Sequence, residues 1–277
     1  MRPRPPKDRQ PPKSHNRSHG QSRPAHHPVR AEGGREKPGK KQENWLYGLH
    51  AVGAALANPK RKLHRAVLTA RAAETLGPKL AGRVRVEPAD ADAITRLLSP
   101  GAVHQGAALS CDPLPAQDLD EVLAEPKEGR RIVLVLDQLS DPHNVGAILR
   151  TAAAFAVTAV VVQDRHAPPQ SGALAKAASG AMEIVPYVEV VNIARALDKL
   201  GGAGFWRIAL AGDGQEPIAQ AAAQGDIVLV MGSEGDGIRR LVREHCDTTA
   251  FIPIDKAMES LNVSNAAAIA LYEMRRM

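Results

Sequence analysis

From Arg131 onward the chain alternates short apolar runs with segments of helical period. Ile132–Leu136 is apolar at all five positions, and Val157–Val162, Trp206–Leu210 and Ile227–Met231 are nearly as continuous. Ile184–Val188 is a weaker run, split by Pro186, and Thr249–Ile252 is the last. Between or after these runs lie helical segments at Val145–Phe155, Gly172–Ser179, Ile193–Leu200, Ile238–Glu244 and Val263–Arg275. A strand that exposes one face alternates polar and apolar residues; one apolar throughout is covered on both faces. This pattern therefore predicts a parallel sheet with helices on each side.

A smaller α/β pattern precedes it. Order is expected from near Trp45, with a helix over Gly48–Leu56 that ends at Asn58-Pro59. Arg65–Thr69, Arg83–Val86 and Gly106–Cys111 read as strands, with helices at Ala72–Leu76, stopped by Gly77-Pro78, and at Ala89–Leu98. Cys111-Asp-Pro-Leu-Pro-Ala116 breaks the pattern, and the acidic amphipathic stretch to Gly129 reads as a connector outside the core. The organisation read is a tail over 1–43, a small α/β unit over 44–112, a linker over 113–129 and a larger unit over 130–277.

Charge changes the picture only at the N-terminus. Residues 1–43 hold 12 Lys/Arg against four Asp/Glu, with eight of the 21 prolines and no aromatic residue. Such a segment buries too little apolar surface to offset its ordering entropy, so disorder is expected. It reads either as a solubilising extension or as a basic arm that binds a polyanion by counterion release, RNA above all. The chain has no run of 18 apolar residues and no apolar h-region near its start, so no membrane association is expected. Cys111 and Cys246 stand alone, which suits a reducing cytoplasm and disfavours a structural metal.

Three polar loops at strand exits are the candidate chemistry. In Leu136-Asp-Gln-Leu-Ser-Asp-Pro-His-Asn-Val-Gly-Ala-Ile-Leu-Arg150 the chain turns at Asp141-Pro142 and enters a helix near Asn144, which reads as an N-cap, a site residue or both. Arg150, in a helix otherwise small and apolar, either snorkels to water or projects its fork into a polar site. Gly232-Ser-Glu-Gly-Asp-Gly237 has more glycine than a tight turn needs, and Glu234 either caps the following helix or accepts hydrogen bonds from a ligand. Ser260, Asn262 and Ser264 in Glu259–Asn265 compete for one helix cap, which leaves a surplus of polar groups. A dinucleotide fingerprint, a Walker lysine and a GxSxG nucleophile are absent. Scattered His104, His143 and His166 read as polar loop or RNA-facing residues and not as metal ligands.

Taken in this order, Asp141-Pro-His-Asn-Val-Gly-Ala-Ile-Leu-Arg-Thr-Ala152, Val230–Ile238 and Ile252-Pro-Ile254 with Glu259–Ser264 resemble the SpoU (TrmH-type) RNA 2′-O-ribose methyltransferases of the SPOUT class. The resemblance spans roughly Trp45–Arg276. Tyr47-Gly-Leu-His-Ala-Val52, His104-Gln-Gly106 and Arg239–Asp247 look closest to the bacterial 23S rRNA guanosine 2′-O-methyltransferases. This resemblance implies a C-terminal parallel sheet threaded into a trefoil knot, S-adenosylmethionine held at Gly232, Ile252 and Leu261, and a small N-terminal domain similar to the ribosomal L30e-like RNA-binding module. It implies a homodimer with its active site at the subunit interface. Arg150 would activate the ribose 2′-hydroxyl, with Asn144, Glu234, Ser260 and Asn262 shaping the site. Family members often carry a glycine where this chain has Asp255-Lys256-Ala257, which leaves that loop's conformation open. A tRNA ribose methyltransferase and a non-catalytic RNA-binding assembly protein of the same fold are the competing readings.

Overall fold

The computed structural model describes residues 43–80, 82–222 and 225–276. The basic stretch 1–43 lies, apart from Glu43, outside the described residues. A small sheet comes first. β1 (Trp45–Tyr47), α1 (Leu49–Ala57), β2 (Leu63–Leu68), α2 (Ala70–Leu80), β3 (Arg85–Pro88), α3 (Ala91–Leu97) and β4 (Ala107–Cys111) follow in order. The strands lie β1-β4-β2-β3, with β2 and β3 parallel and the other pairs antiparallel.

After α4 (Leu119–Ala124) the larger sheet begins with β5 (Ile132–Asp137), α5 (Pro142–Ala154), β6 (Ala159–Gln163) and α6 (Gly172–Ala178). A 3-10 turn at Ala181–Glu183 leads to β7 (Tyr187–Val190), α7 (Ile193–Gly202), β8 (Trp206–Leu210), β9 (Glu216–Pro217) and α8 (Ile218–Ala221). β10 (Ile227–Gly232), α9 (Arg240–Glu244), β11 (Thr248–Phe251) and α10 (Val263–Arg276) complete the described chain. The strand order is β7-β6-β5-β10-β8-β11-β9, and every pair is parallel, as the continuous apolar runs require.

The period-2 geometry of strands sorts the core into two layers. Ile132, Leu134 and Leu136 pack with Ile148, Leu149, Leu174 and Leu271 on one face of the sheet. Val133 and Val135 pack with Leu119, Val122, Leu197 and Leu200 on the other. Each such side chain, taken fully out of water, contributes about 1.5–3 kcal/mol. The chain leaves β5 toward β6 and β7 on one side, whereas β10 lies on the other side against β8. The boundary between β5 and β10 is thus where the winding reverses, the place at which open parallel sheets leave a crevice beyond their carboxyl ends.

Three local expectations are corrected. α2 runs through Gly77-Pro78 to Leu80. The hydrogen bond that Pro78 cannot donate falls at the carbonyl of Glu74, a residue exposed to solvent. β7 begins at Tyr187 and not at Ile184, which is 71% exposed beside the 3-10 turn. The segment after Cys111 is more than a connector, because α4 buries Leu119 and Val122 in the second core layer. The short β9 and α8 were not anticipated, since two strand residues carry no period.

Candidate active site

β5 and β10 lie side by side with Asp137 opposite Gly232, so their exits share one edge. Asp137 is fully buried and accepts hydrogen bonds from the Arg239 backbone N–H at 2.9 Å, from Nε at 2.8 Å and from Nη2 at 2.6 Å. Arg239 Nη2 also donates to Gln163 Oε1 at 2.9 Å. These contacts fasten the end of the 232–239 loop to β5 and β6. Sequence reasoning missed both Asp137 and Arg239; the available signal was a carboxylate closing an otherwise apolar strand. Gly232 is required by close approach, since a Cβ there would overlap the carbonyl carbon of Gly237. Gly235 and Gly237 take positive φ of 94° and 66°, and Ser233 and Gly237 close the loop as a β-bridge.

Asp141, not Asn144, caps α5: its carboxylate accepts from the N–H groups of His143 at 3.1 Å and Asn144 at 3.2 Å, with Pro142 in the first turn. Asn144 is therefore released from capping. Its Nδ2 donates to Glu234 Oε1 at 3.3 Å, and its Oδ1 accepts from Asn262 Nδ2 at 3.0 Å. Asn262 Nδ2 also donates to Glu234 Oε1 at 2.7 Å. The Asn262 Oδ1 accepts from the N–H of Ser264 at 3.0 Å and from its hydroxyl at 2.6 Å, capping α10. Glu234 Oε1 completes that cap by accepting from Val263 N at 3.3 Å. Its carboxylate thus sits at the positive end of α10 and not on the helix that directly follows it. Three loops far apart in sequence are joined in one polar node.

Beside this node opens a cleft of about 700 Å³ whose lining includes Gly232, Glu234, Ile252, Ser260, Leu261 and Asn262. Leu210, Met231 and Val263 give it apolar walls. Arg243 and Asp213 also line it and pair at 2.8 Å; the guanidinium holds the Asp213 carboxyl below the usual carboxylate range. Neither had been given a role from the sequence alone. Lys256 is exposed in a turn closed by Asp255 and Met258 and does not line the cleft.

Arg150 stands apart. It is six residues beyond Asn144 on α5, about 9 Å along the helix and about 120° round it. It is exposed and faces a second hollow, of about 320 Å³, shared with His50, Ser179 and Ile184. Asn144 joins the node at the cleft mouth without lining the cleft. His104 has a local structural use: Nδ1 accepts from Gly106 N at 3.0 Å, and Nε2 lies 3.1 Å from Thr95 Oγ1.

The profile of the SpoU rRNA Methylase family matches residues 131–272, and one described as RNA 2′-O ribose methyltransferase substrate binding matches residues 45–117. The chain is 40% identical over 240 residues to the 23S rRNA (guanosine-2′-O-)-methyltransferase RlmB of Vibrio vulnificus, covering 84% of this chain and 96% of that protein. It is 39% identical over 238 residues to the RlmB of Pseudomonas aeruginosa, covering 83% and 95%. Among solved structures, the SpoU methyltransferase AviRb from Streptomyces viridochromogenes, in complex with the cofactor AdoMet, shares the fold. Its TM-score is 0.71 at 23% identity, over 88% of this chain and 93% of that one. An AdoMet-bound rRNA methyltransferase from Sinorhizobium meliloti superposes with a TM-score of 0.70 at 21% identity, over 85% and 87%. The chain belongs to the SpoU rRNA methylase family.

Proposed function

We propose that this protein transfers a methyl group from S-adenosylmethionine to the ribose 2′-hydroxyl of a guanosine in 23S rRNA. The observation that carries this reading is the Asn144–Glu234–Asn262 node at the mouth of a cleft built on Gly232, Ile252 and Leu261. Identity of 40% to an RlmB along 96% of that protein's length supports the same chemistry and substrate.

The residues present fit the cofactor. Leu210, Met231 and Leu261 offer an apolar surface to an adenine ring, while the glycine loop brings backbone donors and acceptors close without intervening Cβ atoms. When bound, S-adenosylmethionine supplies an electrophilic methyl on a cationic sulfur. On this reading Gly232, Ile252 and Leu261 hold it, and Glu234, Ser260, Asn262 and Asn144 shape the face that meets the RNA. Arg150 orients the 2′-oxygen and stabilises the charge it develops as its proton leaves. Its guanidinium carries five donors and no acceptor, so the proton passes to the substrate phosphate or to solvent. In-line geometry supplies most of the rate.

The protein acts as a homodimer in this proposal. Arg150 faces a different hollow from the cleft of its own chain, which supports a site completed by the partner's Arg150. Exposed Ile269 and Tyr272 on α10 offer apolar surface for that contact. On this reading the C-terminal segment threads as a trefoil knot, which the match to the SpoU methylase family supports. Residues 44–112 serve as an L30e-like module for RNA, 113–129 link it to the catalytic unit over 130–277, and the basic 1–43 tail adds electrostatic affinity. No helix among the described residues is long and apolar enough to cross a membrane. Residence in the cytoplasm belongs to the same reading. The test is transfer of labelled methyl to protein-free 23S rRNA and to tRNA, followed by mapping of the modified ribose. A label confined to tRNA, or binding of RNA without any transfer, would overturn it.

A further inference from the structure

Two segments of the small unit lie outside the cofactor cleft: Tyr47-Gly-Leu-His-Ala-Val52 and His104-Gln-Gly106. Both converge on α6 of the larger unit. The turn at Gly48 leaves a space that Lys176 fills, for a Cβ there would lie 2.7 Å from Lys176 Cδ. Lys176 Nζ donates to Gln105 Oε1 at 2.5 Å. Burial in this seam pulls the Lys176 ammonium below the ordinary lysine range. One turn earlier on α6, Gly172 meets β1 so closely that any side chain would collide with the Trp45 carbonyl and the Tyr47 ring. Gln170, just before α6, accepts from Leu114 N at 3.0 Å through its side chain and from Asn44 Nδ2 at 3.4 Å through its carbonyl.

A buried ion pair closes the other end. Arg61 of the small unit is paired with Glu183 of the 3-10 turn, with side chains 0% and 6% exposed. Asn58 Nδ2 donates to the same carboxylate at 2.6 Å, and Arg61 Nη1 donates to the Asp112 carbonyl at 3.1 Å. Leu46 and Val52 belong to the same buried cluster as Leu174 and Ala178, so apolar packing continues across the seam. Burying two charges is costly unless they are hydrogen-bonded, and here each guanidinium nitrogen and both carboxylate oxygens have a partner. A unit tethered only by a linker needs none of this. The seam also sets His50, on α1, beside Arg150 in the 320 Å³ hollow.

We propose that Lys176 and Glu183 are positioning residues that hold the small unit on α6 as a fixed platform, so that RNA carried by this unit is presented past His50 to Arg150. The proposal rests on the methyltransferase reading given above. Loosening the platform lowers the fraction of molecules competent to present RNA, which weakens apparent RNA affinity in proportion and leaves the chemical step alone.

The test uses the full chain. Lys176→Ala raises KM for 23S rRNA about fivefold, with kcat within twofold and S-adenosylmethionine affinity unchanged. Glu183→Gln does the same if it folds. Unchanged KM in both variants would overturn the proposal. A Gln105→Cys/Lys176→Cys chain, carrying Cys246→Ser to avoid side labelling, is then linked by a short bis-maleimide. Linking restores the parental KM if the docked arrangement is productive; loss of methylation on linking, with cofactor binding intact, means that the units must separate and refutes it. Hydrogen exchange separates this outcome from failure of the methyltransferase reading. Amides of 45–48 and 172–183 are protected together in the parent and exchange faster together in Lys176→Ala, whatever the activity. Rapid exchange of both in the parent would refute the platform by itself.

Discussion

Asn262 donates its amide to Glu234 at 2.7 Å while its own side-chain oxygen caps α10 through Ser264, so one residue both starts a helix and ties it to the loop after β10. The polar surplus around 259–265 is thereby accounted for in part, because capping used only one end of the Asn262 side chain. Glu234 accepts from three groups on two further segments, and its removal releases all of them together.

Glu234→Ala is expected to release the 262–263 segment from the loop after β10 and so loosen the neighbouring walls at Gly232 and Leu261 that hold the cofactor. A hydrogen bond to a charged group contributes about 1.5–3 kcal/mol, and about 1.4 kcal/mol is tenfold in affinity. Titration calorimetry should show S-adenosylmethionine binding weakened about tenfold. Affinity within twofold of the parent would remove Glu234 from the support of the site.

Arg150→Ala should leave cofactor affinity within twofold, because Arg150 does not line the cleft of its own chain. Methyl transfer should fall by about a hundredfold or more, as on loss of a group stabilising a developing oxyanion. Lysine at this position keeps the charge without the planar fork and should recover little. Undiminished transfer by Arg150→Ala would take this residue out of the reaction.

Asp137→Ala strands Arg239, whose carboxylate partner is fully buried. Breaking a buried pair costs about 3–5 kcal/mol, and the lower end applies because Arg239 retains access to water. The expected fall in Tm is about 6 °C or more, measured by calorimetry. A fall below about 2 °C would mean that the 232–239 loop is held by other interactions.

Asp247 is engaged by the Arg207 backbone N–H at 2.8 Å, Nε at 2.9 Å and Nη2 at 2.6 Å, and the guanidinium holds its carboxyl below the usual range. Folding lowers this pKa, so the pair stabilises the fold above the unfolded-state value of about 3.9 and ceases to do so as pH falls through the folded-state value. Asp247→Asn should therefore lower Tm at pH 7, with the gap to the parent closing below about pH 4. A gap that does not narrow at all as pH falls below about 4 would assign the loss to packing and not to charge.

Deletion of 1–43 should weaken RNA binding and flatten its salt dependence. Every phosphate that the tail no longer neutralises reduces the slope of log K against log salt by about 0.9 on duplex and about 0.7 on single strands. Filter binding across a salt series reads this directly, and an unchanged slope would make the tail a spectator.

The parallel sheet, apart from the short β9, was legible because strands covered on both faces are apolar throughout, as Ile132–Leu136 and Ile227–Met231 are. The glycine and Ser/Asn loops were legible for a local reason: Gly232 and Asn262 do jobs that few other residue types can do. What the sequence could not carry were relations with no period and no fixed spacing. Strand order put β10 against β5, and only that adjacency joined Asn144 to Glu234, 90 residues away. The Asp141 cap is the exception, a local pairing that Asp directly before Pro142 already signalled. Arg61 met Glu183 across a separation of 122 residues, where each alone reads as an ordinary surface charge. Burial and pairing of polar groups depend on which elements meet. Local sequence dictates the elements, and the tertiary structure decides what their polar ends face.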